Sequence, residues 1–195
     1  MKIHVQPFVG EAAERYLPDL ARLRLEVFRD FPYLYDGNMD YERAYLQTYV
    51  ERPDSVLVIA FDGEAVIGAS TALPMKYETP HIQQPFLDKQ YDVSQVFYFG
   101  ESVLKKAYRG HGIGVAFFQQ REAYARQLGG FRYLTFCGVI RPDEHPLRPT
   151  NYVPLDNFWL NRGFQPTEMV CYMDWKDLNE PAESSKPLRF WIKPL

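Results

Sequence analysis

Two sets of residues in this sequence have the types and spacing to do chemistry. The first is Arg109-Gly110-His111-Gly112-Ile113-Gly114, which follows an apolar run, Val96 to Leu104, and opens an amphipathic one, Val115 to Leu128. Glycines let the backbone approach an anion closely, and the first N–H groups of a helix have no partner within it. Arg109 can add a charge-assisted fork to the same anion. Such a turn between strand and helix is a cradle for a phosphorylated molecule. The second is Glu101, the one carboxylate within Val96 to Leu104. It lies two residues before Val103 and so shares a strand face with it. A carboxylate on a central strand is costly unless it is paired or put to use. Glu101 is therefore a candidate general base, with an ion pair to Arg or a bond to Tyr as its structural alternative. Cys137, on the next strand-like run, is a core thiol before it is a nucleophile.

The elements that must position these groups can be read from pattern. The segment up to Phe8 reads as a first strand. Pro18 suits the first turn of a helix through Phe28, in which Leu20, Leu23, Val27 and Phe31 recur at helical spacing. A loop rich in Tyr and Asp leads to a second helix near Tyr41 to Val50. Ser55 to Phe61 and Ala65 to Leu73, joined by Asp62-Gly63-Glu64, give a hairpin signal. Pro74 to Gln95 reads as a surface excursion with at most one short helix. Val96 to Leu104 is apolar at nearly every position, as in a strand covered on both faces. The helix after Gly114 ends at Gly129-Gly130, and Tyr133 to Ile140 completes a parallel strand–helix–strand unit. Arg141 to Tyr152 is a proline-bearing loop, and Leu155 to Asn161 a short helix. Glu168 to Trp175 and Leu188 to Ile192 are closing antiparallel strands, with Asn179 to Lys186 as loop between them.

Bulk properties narrow the function. At 195 residues the chain suits one domain over 1–195. A formal charge of −3 without a dense Lys/Arg patch argues against nucleic acid. No apolar run reaches the roughly 20 residues of a membrane span, and no leader is evident, so the expected location is cytoplasmic. Cys137 and Cys171 are the two cysteines and, with the four scattered His, lack zinc spacing, so no metal is expected.

The glycine turn fits some phosphate binders poorly. A Walker loop needs Gly-Lys-Ser/Thr where this chain has Gly114-Val115-Ala116. A dinucleotide fold places its fingerprint early, in a repeated array. Val103 followed by Arg109-Gly110-His111-Gly112-Ile113-Gly114 instead resembles the acetyl-CoA signature of the GNAT superfamily of N-acetyltransferases, Arg/Gln-x-x-Gly-x-Gly/Ala after the fourth strand. Phe158-Trp159-Leu160-Asn161-Arg162-Gly163-Phe164 is similar to the same family's later motif, and the order of elements matches over essentially the whole chain.

The resemblance implies an α/β (α+β) domain with a mixed, mostly antiparallel sheet and helices on both faces. It implies acetyl-CoA as co-substrate and no metal, with transfer to an amine by direct attack in a ternary complex. The backbone of Arg109, Gly110, His111, Gly112, Ile113 and Gly114 would take the pyrophosphate. The strand edge at Ser102, Val103 and Leu104 would take the pantetheine arm, where two central parallel strands splay. Gly100 agrees independently, since a glycine inside a strand marks a bulge or a close backbone approach. The family often carries a Glu on this strand as base, which points to Glu101. Many members have a Tyr four residues before the Gly of Gly-Phe, to serve the departing thiolate. Trp159 stands there instead, in a core-packing role, and Tyr152 is the substitute. In this family the segment joining the first two helices walls the acceptor cleft. Here it brings Tyr33, Tyr35 and Asp36, flanked by Glu26, Asp30, Phe31, Asp40 and Tyr41. Carboxylates among aromatic faces suit a cationic small-molecule or peptide amine. A homodimer is compatible with the sequence. The alternative reading is a CoA-binding module that has lost catalysis.

Overall fold

The computed structural model describes residues 2–52 and 54–195, the Thr48 side chain excepted. Seven strands form one sheet in the order β1-β2-β3-β4-β5-β7-β6. They are β1 Ile3–Phe8, β2 Val56–Asp62, β3 Ala65–Pro74, β4 Val96–Leu104, β5 Tyr133–Val139, β6 Gln165–Trp175 and β7 Ser184–Pro194. Every neighbouring pair is antiparallel except β4 with β5. The mixed, mostly antiparallel sheet read from the sequence is therefore the one that forms. Met1, assigned to the first strand, lies outside the described residues.

Helices cover both faces. On one side lie α1 Glu11–Glu14, α2 Leu17–Val27, α3 Met39–Glu51 and α4 Pro80–Asp88. They seat Leu20, Leu46, Tyr49 and Phe86 against Ile59, Tyr98 and Phe190. On the other lie α5 Ile113–Leu128 and α6 Asp156–Leu160. There Ile113, Phe117 and Phe118 meet Phe97, Phe99, Phe136 and Phe164. Phe97 and Phe99 are completely or almost completely buried, each ring supplying about 1.5–3 kcal/mol of apolar burial. Burial on both faces is why β4 reads as a continuous apolar run.

The proline-bearing stretch 74–95 holds the one short α-helix allowed for it, the nine-residue α4, begun at Pro80, where a proline fits a helix start. Ile82 and Phe86 anchor it in the core. The closing strand departs from the sequence reading: β7 begins at Ser184 inside the expected loop and runs eleven residues through Pro187. Proline normally argues against a central strand. Here its carbonyl still accepts the Ile140 N–H at 2.9 Å, so the strand continues past it.

Candidate active site

Three local devices converge at the middle of the sheet. The first is a gap between β4 and β5. Their pairing covers only Val96↔Tyr133, Phe97↔Leu134 and Tyr98↔Thr135. Beyond Tyr98 the strands diverge, so the β5-facing edge of Phe99 to Leu104 leaves the ladder. That edge carries Ser102, Val103 and Leu104, of which Val103 is fully buried and Ser102 exposed.

The second device is the glycine turn. Gly110 and Gly112 have φ of +83° and +79°, a region L side chains rarely adopt, and a Cβ at either would meet open space. Gly112 caps α5, and the first helical N–H to find a carbonyl is that of Ala116, on Gly112 O at 3.0 Å. The N–H groups of Ile113, Gly114 and Val115 precede it as the orphan donors of the helix start. Gly114 lies close beneath the Phe158 ring, which locks α6 over this end of α5. Arg109 is half exposed, with Asp30 4.0 Å away. His111 is exposed and its Nδ1 lies 3.1 Å from the Arg109 carbonyl. The open, donor-lined turn fits a pyrophosphate, and the free strand edge fits an amide-bearing arm, so the residues present suit coenzyme A.

The third device is a β-bulge. Ser70 pairs with Ser102, but Ala72 pairs with Phe99, so Gly100 and Glu101 together face Thr71. The extra residue reverses the alternation of β4. Val96 and Tyr98 face the α2/α3 side, and without the bulge Glu101 would point to α5. With it, Glu101 and Val103 both face α2 and α3. The Thr71 hydroxyl accepts the Glu101 N–H at 3.2 Å. From the opposite face, Arg121 Nη1 donates to the Thr71 carbonyl at 3.3 Å. Arg121 is buried between the Phe99 and Phe118 rings. Burial lowers its pKa to about 9, Glu101 and Tyr49 partly opposing.

Glu101 forms an ion pair with Arg24 at 2.9 Å, and Arg24 also bonds Glu42. All three side chains are buried or nearly so, and Arg24 lies over the Phe28 and Tyr45 rings. Burial would depress the guanidinium, but Glu101, Tyr45 and Glu42 outweigh it and hold it above its ordinary value. Burial raises the Glu101 carboxyl, Arg24 pulling the other way. Two carboxylates share one cation, and Oε1 of both Glu42 and Glu101 finds no hydrogen-bond partner. Buried carboxylate oxygens without donors are costly, and a ligand ammonium would satisfy them.

The residues expected from the sequence to wall an acceptor cleft divide. Tyr33 packs on Phe28 and Trp175, and Tyr35 hydrogen-bonds Glu42. Burial raises both phenols. Arg141 clamps the segment, donating to the Pro32 and Tyr33 carbonyls at 2.7 and 2.8 Å and to both oxygens of the buried Asp177. Asp36 is held differently. Lys176 at 2.9 Å and Arg29 at 3.6 Å neutralise it and keep its carboxyl below the usual range. Glu42 and Glu101, by contrast, are buried and share the single guanidinium of Arg24. Asp40 and Tyr41 are exposed at the start of α3. Tyr152 is half-buried and meets Phe31 edge-on at 4.7 Å, with Arg148 over its ring. Burial raises its phenol.

Trp159 packs on Phe136 and Trp191, both at 5.0 Å, and lies against Gly138. Both cysteines are free thiols. Cys171 and burial push the Cys137 thiol well above its ordinary value, the opposite of what a thiolate nucleophile needs.

Arg24, Glu42, Tyr45 and Tyr49 were not read from the sequence. The signal was there for three of them: Glu42, Tyr45 and Tyr49 recur at i, i+3 and i+7, one face of α3.

Residues 19–148 match the family model described as the acetyltransferase (GNAT) family. Solved structures share the fold over nearly their full lengths. An acetyltransferase from Thermus thermophilus superposes with a TM-score of 0.62 at 15% identity, covering 100% of this chain and 98% of that one. Ribosomal-protein-alanine N-acetyltransferase from Brucella melitensis gives 0.61 at 14%, covering 98% and 99%. A GNAT-family acetyltransferase from Streptococcus pneumoniae gives 0.59 at 14%, covering 99% of each. A sequence search of curated proteins found no match. The family model spans most of the chain, through the glycine turn, the bulge and the diverging strands, and on that footing the chain belongs to the GNAT acetyltransferase family.

Proposed function

We propose that the chain moves an acetyl group from acetyl-CoA to a primary amine, by direct attack within a ternary complex, and that the acceptor is a small cationic amine. The observation that carries this reading is the buried pair Glu42 and Glu101, each with an unpartnered oxygen, placed beside the open edge of β4. An acceptor ammonium entering there meets a site with two carboxylates and one guanidinium. Acetyl-CoA, when bound, supplies the activated acyl group. The backbone of 109–114 would hold its phosphates, and Ser102, Val103 and Leu104 would hold its pantetheine arm by main-chain bonds. Tyr33 and Tyr35 would wall the acceptor cleft. Tyr152 would serve the departing thiolate in place of the Tyr whose position Trp159 occupies.

Glu101 has a defined task in this scheme. Its negative charge draws the ammonium to the bulge, where the amine must lose a proton before it can attack. Its ion pair with Arg24 and the packed Trp159 also favour a second reading, a CoA-binding module without catalysis. Turnover separates the two. CoA release from acetyl-CoA is measured with spermidine, lysine, glucosamine and tyramine as acceptors. Release with a cationic amine supports the enzyme. Binding of acetyl-CoA with no release from any amine supports the module.

A further inference from the structure

The acceptor amine must give up a proton, and the proton must leave the protein on every turnover. Glu101 is poorly placed for the second half of that task. Its side chain is 4% exposed and is held 2.9 Å from Arg24. A second carboxylate lies nearby in a less deeply buried residue. Glu78 follows the turn Met75–Tyr77 at the end of β3 and precedes α4. It is only partly buried as a residue, and its Oε2 accepts the Thr79 N–H at 3.3 Å.

A hydroxyl connects Glu78 to the bulge. Tyr49, on α3, hydrogen-bonds the Glu78 carboxylate. The same hydroxyl lies 3.4 Å from that of Tyr45. It also sits over Gly100, where any side chain would collide with it and with the Thr71 hydroxyl. The missing side chain at Gly100 thus lets a phenol reach the bulge from above. Tyr49 spans from the residue next to Glu101 to the partly buried carboxylate of Glu78.

We propose that Glu78 is the terminal proton acceptor of the reaction, reached from the amine through the Tyr49 hydroxyl, while Glu101 attracts and orients the ammonium. This rests on the acetyltransferase reading above and assigns a catalytic residue within it. In the step, one ammonium N–H bond breaks as its proton passes to Tyr49 Oη, and the Tyr49 hydroxyl proton passes to a Glu78 oxygen. The products are a neutral amine, an unchanged Tyr49 and a neutral Glu78 acid. Glu78 then returns its proton to water. Burial, Tyr45 and Glu101 raise Tyr49 well above an ordinary phenol, so it conducts a proton without resting as phenolate.

The electrostatics of Glu78 agree with the geometry. Burial pushes its carboxyl up to about 7; Glu101 adds to this, and the Thr79 N–H, Tyr49 and Arg52 oppose it. Tyr45, Tyr98 and Cys137 are the other titratable groups that sense its charge, and burial holds Tyr45 and Tyr98 in their neutral forms at working pH. A base near neutrality is matched to proton abstraction at neutral pH.

The test is the pH profile of kcat/KM over about pH 5.5 to 9, read by CoA release with the best of spermidine, lysine, glucosamine and tyramine. The wild-type chain should show an ascending limb near neutrality. Glu78→Gln should lower the neutral-pH rate by about 10²-fold and abolish that limb. The thermal shift given by acetyl-CoA should persist. Tyr49→Phe, which keeps the ring and deletes only the hydroxyl, should abolish the same limb. Glu101→Gln should lower the rate and keep the limb. Glu78→Asp should recover part of the rate together with the limb, which a purely structural role would not give. Retention of the limb in Glu78→Gln, or in Tyr49→Phe should the first variant not fold, would overturn the proposal and leave the acetyltransferase reading standing. A wild-type chain that binds acetyl-CoA but acetylates none of the four amines would overturn both.

Discussion

Arg24→Met is the most informative single perturbation of the buried site. Arg24 is the shared cation of Glu42 and Glu101, and its side chain is 11% exposed. Methionine fills similar space and can still contact the Phe28 and Tyr45 rings, so the main loss is charge compensation. Breaking a buried ion pair by removing one partner costs about 3–5 kcal/mol, because the remaining charge is left unpaired. A domain of this size loses roughly 2–4 °C in Tm per kcal/mol, so the expected drop at pH 7 is roughly 6–20 °C. The effect carries a sign in pH. Burial already holds the Glu101 carboxyl above its ordinary value in the folded chain, and Arg24 opposes that rise. Without Arg24 the folded-state pKa rises further above the unfolded value of about 4.3. The folded state then binds more protons than the unfolded one, so stability falls as pH increases through that interval. The deficit of Arg24→Met should therefore be largest at neutral and higher pH and shrink under mild acid. Urea unfolding followed by the fluorescence of Trp159, Trp175 and Trp191 measures it. Adding Glu101→Gln to Arg24→Met should recover part of the loss, with a coupling of about 0.5–3 kcal/mol. A deficit under about 1 kcal/mol at pH 7, or one that does not depend on pH, would refute the reasoning.

The remaining predictions concern the cradle, the bulge and the acceptor. Acetyl-CoA should raise the wild-type Tm, and Gly112→Val, which forces a β-branched residue to φ +79°, should abolish most of that shift in differential scanning fluorimetry. Gly100→Ala should destabilise by about 1–3 kcal/mol, because its methyl collides with the Tyr49 and Thr71 hydroxyls, and Tyr49→Phe should relieve part of that cost in a double-mutant urea series. Glu101→Gln should slow acetylation by about 10²-fold while the acetyl-CoA thermal shift is retained. Cationic amines should outperform neutral and anionic ones, and added salt should raise their apparent KM. Asp36→Asn should change that KM little, since Lys176 and Arg29 already neutralise Asp36.

What could be read in advance follows a physical division. The glycine turn, the apolar β4 and β5 and the order of elements are written in local composition, and the fold that forms has them. The direction of Glu101 is a different kind of fact. Counting alternation back to Val103 puts it on the α2/α3 side, and counting forward from Val96 puts it on the α5 side. The bulge at Gly100 decides between the two, and it depends on Thr71, thirty residues away. The Arg24 partnership is equally non-local: a helix, a second helix and a strand each supply one charge. Asp36 shows the same limit, because its neutralising Lys176 is 140 residues distant. The sequence reading makes the closing strand too short for a related reason: it runs through Pro187, whose carbonyl still finds a donor in the distant Ile140 N–H.

The open edge of β4 bears on how such a protein can change over time. A ligand held by main-chain N–H and C=O groups, and by the start of a helix behind two left-handed glycines, is recognised through conformation. Few side-chain identities enter that recognition. Substitutions along β4 and α5 that preserve the divergence of the strands and the turn at Gly110 and Gly112 leave the cradle as it was. Chains can therefore drift to 14–15% identity and still superpose over their full lengths, as this one does with the solved acetyltransferases. Acceptor choice has no such insulation. In the proposed scheme it would rest on the side chains of Glu42, Glu101, Tyr33 and Tyr35, so single substitutions there would be enough to redirect the chain to a new acceptor while the cradle stays as it was.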